Sequence, residues 1–189
     1  MKIGLYFGSF NPVHHGHLII ANHIVCNTNL DQVWFVVSPQ NPLKHSSGLL
    51  NEYHRLHLVR LAIEGEDRLR VSDIEFHLPR PSFTIDTLTY LAEKYPKNTF
   101  TVIMGSDSYQ NIGKWKNHHQ LISNYDLLIY MRPGFPVDPL KASRITLLEA
   151  PLLEISATYI RNSIKNGKSI RYLLPENVRE EIERNRYYF

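Results

Sequence analysis

The sequence predicts an α/β fold, a parallel sheet with helices on both faces, and three observations predict it. Short apolar runs alternate with longer stretches whose apolar positions recur at helical spacing, along all 189 residues. Some of the runs, residues 33–37 among them, have no polar alternation, as strands buried on both faces do. Glycine and proline stand where elements should end, at Pro39, Gly65, Pro81, Pro133, Gly134 and Gly167. Such a sheet needs right-handed crossovers, and its ligands bind beyond the carboxyl ends of the strands, where strand order reverses.

The first strand spans residues 3–7, where Ile3, Leu5 and Phe7 alternate with Gly4 and Tyr6. Gly8 can adopt backbone angles barred to other residues and Pro12 fixes its own φ, so the connection that follows is short and stiff. From Leu18 the apolar residues take helical spacing. A stiff loop opening onto a helix start is where phosphate oxygens find N–H groups and a positive dipole end. His14 and His17 are three apart, which places both imidazoles on one side of the first turn, facing one ligand. By themselves they read equally as a surface or capping pair.

Residues 31–39 form the next strand, ended by Pro39, and a loop follows through Gly48. Residues 51–64 form a helix that Gly65 stops, and 69–74 form a short strand. After a break at residues 80–82 come a helix over 84–94 and a strand over 99–104. Residues 105–124 are a loop and helix carrying Trp115; 125–131 return as a strand ended by Arg132, Pro133 and Gly134. A last strand covers 144–149, and helices cover 156–165 and 175–184. The loops after Phe7, Val37, Met104 and Met131 then share one edge of the sheet.

Two further strings carry chemistry. In Ile155-Ser156-Ala157-Thr158-Tyr159-Ile160-Arg161 the hydroxyls stand at a helix start and Arg161 reaches from its first turns. A guanidinium suits phosphate because its planar fork donates paired charged hydrogen bonds; an ordinary N-cap followed by an exposed arginine is the alternative. Gly105-Ser106-Asp107, directly after a strand, puts a carboxylate where a ribose hydroxyl could bind, or where it simply caps a helix. Trp115, between Lys114 and Lys116, offers a flat aromatic face near a cationic surface, or belongs to the core.

The string from Gly8 to His17 resembles the His-x-Gly-His signature of the nucleotidyltransferase superfamily, and the string from Ile155 to Arg161 resembles its second signature. The likeness narrows to bacterial nicotinate-nucleotide adenylyltransferases through Pro81 to Leu88, through Gly105, Asp107 and Trp115, and through Arg132-Pro133-Gly134, in order along nearly the whole chain. The resemblance implies a Rossmann-like, doubly wound nucleotidyltransferase domain over residues 1–189 with a small C-terminal helical part. It implies that ATP and nicotinate mononucleotide give nicotinate adenine dinucleotide and pyrophosphate by direct attack of the mononucleotide phosphate. His14 and His17 would then serve the α- and β-phosphates beside Gly8, Ser9, Phe10 and Gly16. Arg161 would take the leaving pyrophosphate, and Ile155, Ser156 and Thr158 the adenine side and outer phosphates. Gly105 and Asp107 would meet the ribose. Lys44 would meet the mononucleotide phosphate, Thr84 the nicotinate carboxylate, Trp115 the pyridine ring, and Arg132 the substrate. Mg²⁺ would be held mainly by phosphates and water, with no protein ligand set of its own. The departures are Leu43 in place of a histidine, Asn11 where aspartate is commoner, and Ala157 in place of a serine.

Other readings remain beside it: a transferase with another acceptor such as nicotinamide mononucleotide or phosphopantetheine, a nucleotide sensor without turnover, or a metal protein using His14, His15 and His17 or the pair His54 and His57. A net charge of +3 suits small anionic substrates and is too slight and dispersed to argue for nucleic acid. No apolar stretch reaches the ~20 residues of a membrane span, and the amino terminus runs straight into the first strand without an export signal. The lone Cys26 reads as a small buried hydrophobe within an apolar helix pattern and fits a reducing cytoplasm. Homo-oligomerisation is left open.

Overall fold

In the computed structural model, which describes residues 1–40, 48–137 and 144–189, six parallel strands lie in the order β3-β2-β1-β4-β5-β6. They are β1 (Lys2–Gly8), β2 (Gln32–Val37), β3 (Leu69–Ser72), β4 (Thr99–Gly105), β5 (Asp126–Tyr130) and β6 (Ile145–Leu148). The chain builds outward from β1 through β2 to β3, then returns to lay β4 on the other side of β1. Strand order therefore reverses between β1 and β4, which are paired from Lys2↔Thr99 to Tyr6↔Ile103. A crevice beyond their carboxyl ends is the expected ligand position in this topology.

Alternation along β1 sends Ile3 and Leu5 into one core and Tyr6 into the other. The Tyr6 face is covered by four helices: α1 (His15–Asn27), α2 (Glu52–Ala62), α6 (Ala157–Lys165) and α7 (Glu176–Arg184). They contribute Ile20, Ile24, Leu58, Val59, Ile160, Ile164, Val178 and Ile182, all buried. The opposite face is covered by α3 (Thr84–Lys94), through Ile85, Leu88 and Leu91, and by α5 (His118–Asn124), through Leu121. The doubly wound arrangement is thus the one expected, and two C-terminal helices are part of one wall.

Most boundaries follow local chemistry legible in the sequence. Asn51 caps α2 by accepting from the Tyr53 N–H at 2.9 Å, and Ser156 caps α6 by accepting from Tyr159 at 3.1 Å. Gly65 and Gly167 take φ of 84° and 63°, left-handed turns that end their helices. Three expectations change. The strand over 69–74 stops at Ser72, whose hydroxyl accepts from the Ile74 N–H at 3.3 Å and diverts the chain into a 3-10 turn, Ile74–His77. The stretch 105–124 divides into α4 (Ser106–Gln110), a 3-10 turn at Ile112–Lys114 and α5, with Asn117 left-handed before the last. Cys26 is exposed, because the buried face of α1 runs through Ile20, Ala21, Ile24 and Val25 and the next position turns to solvent. Among the described residues no helix is long and apolar enough to cross a membrane.

Candidate active site

Two cavities adjoin at the carboxyl ends of β1, β4 and β5. The larger is lined by Gly8, Ser9, Phe10, His14, Gly16, His17, Asp107, Arg132, Ile155, Ser156, Thr158 and Arg161. The smaller is lined by Gly8, Ser9, Thr84, Gly105 and Trp115, with Lys116 and Glu75. Tyr6, Ser108 and Tyr130 belong to both, so the two spaces share a seam over the sheet's switch point. The loop after β1 and the late arginine string, nearly 150 residues apart in sequence, therefore meet on one wall.

Their meeting is held by direct bonds. Arg161 donates through Nη1 to the Asn11 carbonyl at 2.7 Å and through Nη2 to the Thr158 hydroxyl at 3.2 Å. The Asn11 side chain donates to the Gly48 carbonyl at 2.9 Å and accepts from the Leu50 N–H at 3.1 Å. An amide does both; an aspartate at this position would offer only acceptors. Behind it, the fully buried Arg55 donates to the carbonyls of Ser9 at 2.6 Å, Ser38 at 2.8 Å, Pro39 at 2.8 Å and Leu50 at 2.7 Å. One guanidinium thus fixes the loop after β1, the end of β2 and the entry to α2. Neither Asn11 nor Arg55 was among the expected site residues.

His14 and His17 do face one space, with ring centroids 3.8 Å apart. Phe10 and Tyr6 pack edge-on against His17 at 5.1 and 6.2 Å. His17 Nδ1 accepts from the His14 backbone N–H at 3.3 Å, so a neutral ring carries its proton on Nε2. His14 Nδ1 is buried and has no partner among the described residues. Gly16 lets the His14 ring sit close, since a Cβ at that position would lie 3.1 Å from it and press on the imidazole. The Gly8 expectation is corrected: the left-handed residue of the loop is Phe10, φ 45°, whose buried ring holds the strained turn in place. The His15 N–H is taken by the Leu173 carbonyl at 3.1 Å, so the start of α1 is partly satisfied from within.

Burial, then the neighbouring His15 and Arg132, lower His14 to about 4; burial likewise pushes His17 well below its usual value. Because the folded value lies below the unfolded one, His14 contributes stability that is complete above about pH 6.5. That contribution is lost as pH falls from 6.5 to about 4, and amounts to about 3 kcal/mol. Urea unfolding over this window should show stability declining in the wild type. His14→Gln should show a shallower decline, by about one proton; an unchanged slope would remove the assignment.

On the opposite rim, Asp107 and Arg132 form an ion pair at 3.4 Å, and the space beside them exists because residue 105 is glycine, whose Cβ would stand 2.4 Å from Asp107 Oδ1. Arg132 also reaches the Tyr130 hydroxyl at 3.4 Å. Arg132 thus lies on the larger cavity, with the imidazoles, and Gly105 lines the smaller one. Thr84 opens α3 at the smaller cavity, and Trp115 is half-buried there, packed against the second core as well as facing the space. Lys44 lies outside the described residues.

Carboxylates on the larger cavity are Asp107 and Glu154, and no group of three metal-ligating side chains occurs among the described residues. His54 instead bonds the Tyr187 hydroxyl at 2.9 Å and His57 approaches Glu181 at 3.4 Å, both packing α2 against the C-terminal segment.

A family model described as cytidylyltransferase-like matches residues 5–163. A protein of Cytophaga hutchinsonii named probable nicotinate-nucleotide adenylyltransferase is 52% identical over 189 residues, covering 100% of this chain and 98% of its own. One of Flavobacterium johnsoniae with the same name is 48% identical, covering 100% and 99%. The solved Plasmodium falciparum nicotinic acid mononucleotide adenylyltransferase complexed with NaAD superposes with a TM-score of 0.85 at 22% identity, over 99% of this chain and 97% of that one.

Proposed function

Since the chain belongs to the nicotinate-nucleotide adenylyltransferases, within the cytidylyltransferase-like family, we propose that the larger cavity receives ATP and the smaller one nicotinate mononucleotide. The observation that carries this is the shared seam: the phosphate loop, paired imidazoles and Arg161 border one space, Thr84 and Trp115 the other, and Gly8, Ser9 and Ser108 border both.

A phosphate oxygen of the mononucleotide attacks the α-phosphorus of ATP, the α–β bond breaks, and pyrophosphate leaves. With a second pKa near ~6 the attacking phosphate is already largely dianionic at neutral pH, so no general base is needed. The work is positioning and charge stabilisation. His17 donates from Nε2, and His14 from its own single ring N–H, so that the pair serves the α- and β-phosphate oxygens. Arg161, already aimed by Asn11 and Thr158, meets the leaving pyrophosphate, and Arg132 reinforces the positive rim. Asp107 serves the ribose, Ile155 and Ser156 the adenine side, and Lys44 the mononucleotide phosphate. The carboxylates present suit a Mg²⁺ carried by phosphate oxygens and water, which when bound offsets the crowded negative charge. The setting that fits these substrates is the cytoplasm.

Trp115 stacks on the pyridine, and the N-terminus of α3 favours its carboxylate. A helix terminus contributes ~0.3–2 kcal/mol, so the acid mononucleotide is preferred over the amide by at most about thirtyfold on this ground. Pyrophosphate release should be measured with ATP and Mg²⁺ and with nicotinate mononucleotide, nicotinamide mononucleotide and phosphopantetheine in turn. Highest kcat/KM for the acid is expected; equal values for acid and amide would remove the argument from α3, and preference for phosphopantetheine would overturn the acceptor.

A further inference from the structure

Glu75 is only 3% exposed, lines the smaller cavity, and forms no ion pair among the described residues. Its Oε2 accepts from the Ser82 hydroxyl at 3.1 Å and its Oε1 from the Thr87 hydroxyl at 3.0 Å. These two hydroxyls bracket the start of α3, one just before Phe83 and Thr84 and one in the turn that follows. Resting on the reading of the smaller cavity given above, we propose that Glu75 is a positioning residue for the acceptor: its carboxyl group anchors the α3 N-terminus so that Thr84 and the neighbouring N–H groups face the pyridine carboxylate.

Why a carboxyl group stands here follows from its two oxygens, which accept from two hydroxyls at once, and from the positive end of α3, which favours an anion. Burial raises its pKa, ahead of the opposing bonds from Ser38, Thr87 and Ser82. The outer side of the same turn is held by Lys116, which pairs with Asp86 at 2.8 Å and lies 4.9 Å over the Phe83 ring. That pair is 43% and 44% exposed, and such surface pairs contribute little, so the inner anchor sets the geometry. Moving the α3 start by a fraction of an ångström would leave the cavity present and its donors misdirected.

The experiment measures KM separately for nicotinate mononucleotide and for ATP, with calorimetric affinity for the mononucleotide alone, in Glu75→Ala, Glu75→Gln and Thr87→Val. Glu75→Ala is expected to raise the mononucleotide KM about tenfold and leave the ATP KM within about twofold, while the acid-to-amide ratio of kcat/KM falls toward one. Glu75→Gln keeps the shape and one acceptor and should stay within about threefold of wild type, with Thr87→Val between the two. A merely structural role lowers melting temperature without splitting the two KM values. An unchanged mononucleotide KM in Glu75→Ala, or equal rises in both KM values, overturns the proposal. If Glu75→Ala does not fold, Thr87→Val decides it by the same split. Wild-type protein that uses no pyridine mononucleotide would instead overturn the acceptor assignment, a separate result.

Discussion

With ATP saturating, His17→Ala is expected to turn over ~10²–10³ times more slowly than wild type, the usual cost of removing one preorganised donor to developing phosphate charge. Several features concentrate that effect on His17. Its ring is neutral at physiological pH because burial pushes its pKa far down, and its tautomer is fixed by the His14 N–H, so the donor is set before ATP arrives. The ring is also clamped between His14, Phe10 and Tyr6, so little reorganisation accompanies the reaction. The loss should fall mainly on kcat, since in the proposed role the donor meets charge that grows in the transition state. Circular dichroism should confirm an intact fold, because the deleted ring lies at the cavity wall and the α1 core residues stay in place. Turnover near the wild-type value would show that the imidazole is a capping group and that charge stabilisation belongs elsewhere.

The sheet was legible in the sequence because some of its strands are apolar without alternation, others alternate cleanly, and its crossovers are regular; only edge and turn details escaped. Ile74 looked like a continuation of β3 until the Ser72 hydroxyl took its N–H, a local choice that periodicity does not report. The shared wall of the larger cavity was legible for a different reason: imidazoles three apart at a helix start and hydroxyls before an arginine imply their own geometry. What escaped were residues that act through backbone carbonyls. Asn11 stood out only as a departure from the commoner aspartate, yet its amide bridges Gly48 and Leu50, and its own carbonyl holds Arg161. Glu75 sits in a tripeptide, Ile74-Glu75-Phe76, whose alternation gives no hint that a 3-10 turn rolls the carboxylate inward. Arg55 did leave a trace: with Leu58, Val59 and Ala62 it falls on the apolar stripe of α2, where a charged residue needs an explanation.

That explanation yields the largest expected loss of stability. Arg55→Met should lower unfolding free energy by about 3–5 kcal/mol, because it orphans four carbonyls on three separate segments, that of Pro39 buried and those of Ser9, Ser38 and Leu50 partly so. The sum of four charged hydrogen bonds would be larger, but burying a guanidinium costs solvation, as its lowered pKa records, and the methionine recovers that part. For a chain of this size about 2–4 °C of melting temperature accompanies each kcal/mol, so a fall of about 6–20 °C is expected. Arg55→Lys separates charge from geometry. A lysine keeps the cation but presents donors from one point, and it cannot span Ser9, Ser38 and Pro39 together. It should therefore recover part of the stability while leaving the loop after β1 loose, with kcat reduced and KM raised for both substrates, because Ser9 borders both cavities. A methionine variant that melts within 2 °C of wild type, on the scale just given, would mean that water or a shifted backbone satisfies these carbonyls. The loop after β1 would then owe its shape to Asn11 and Phe10 alone.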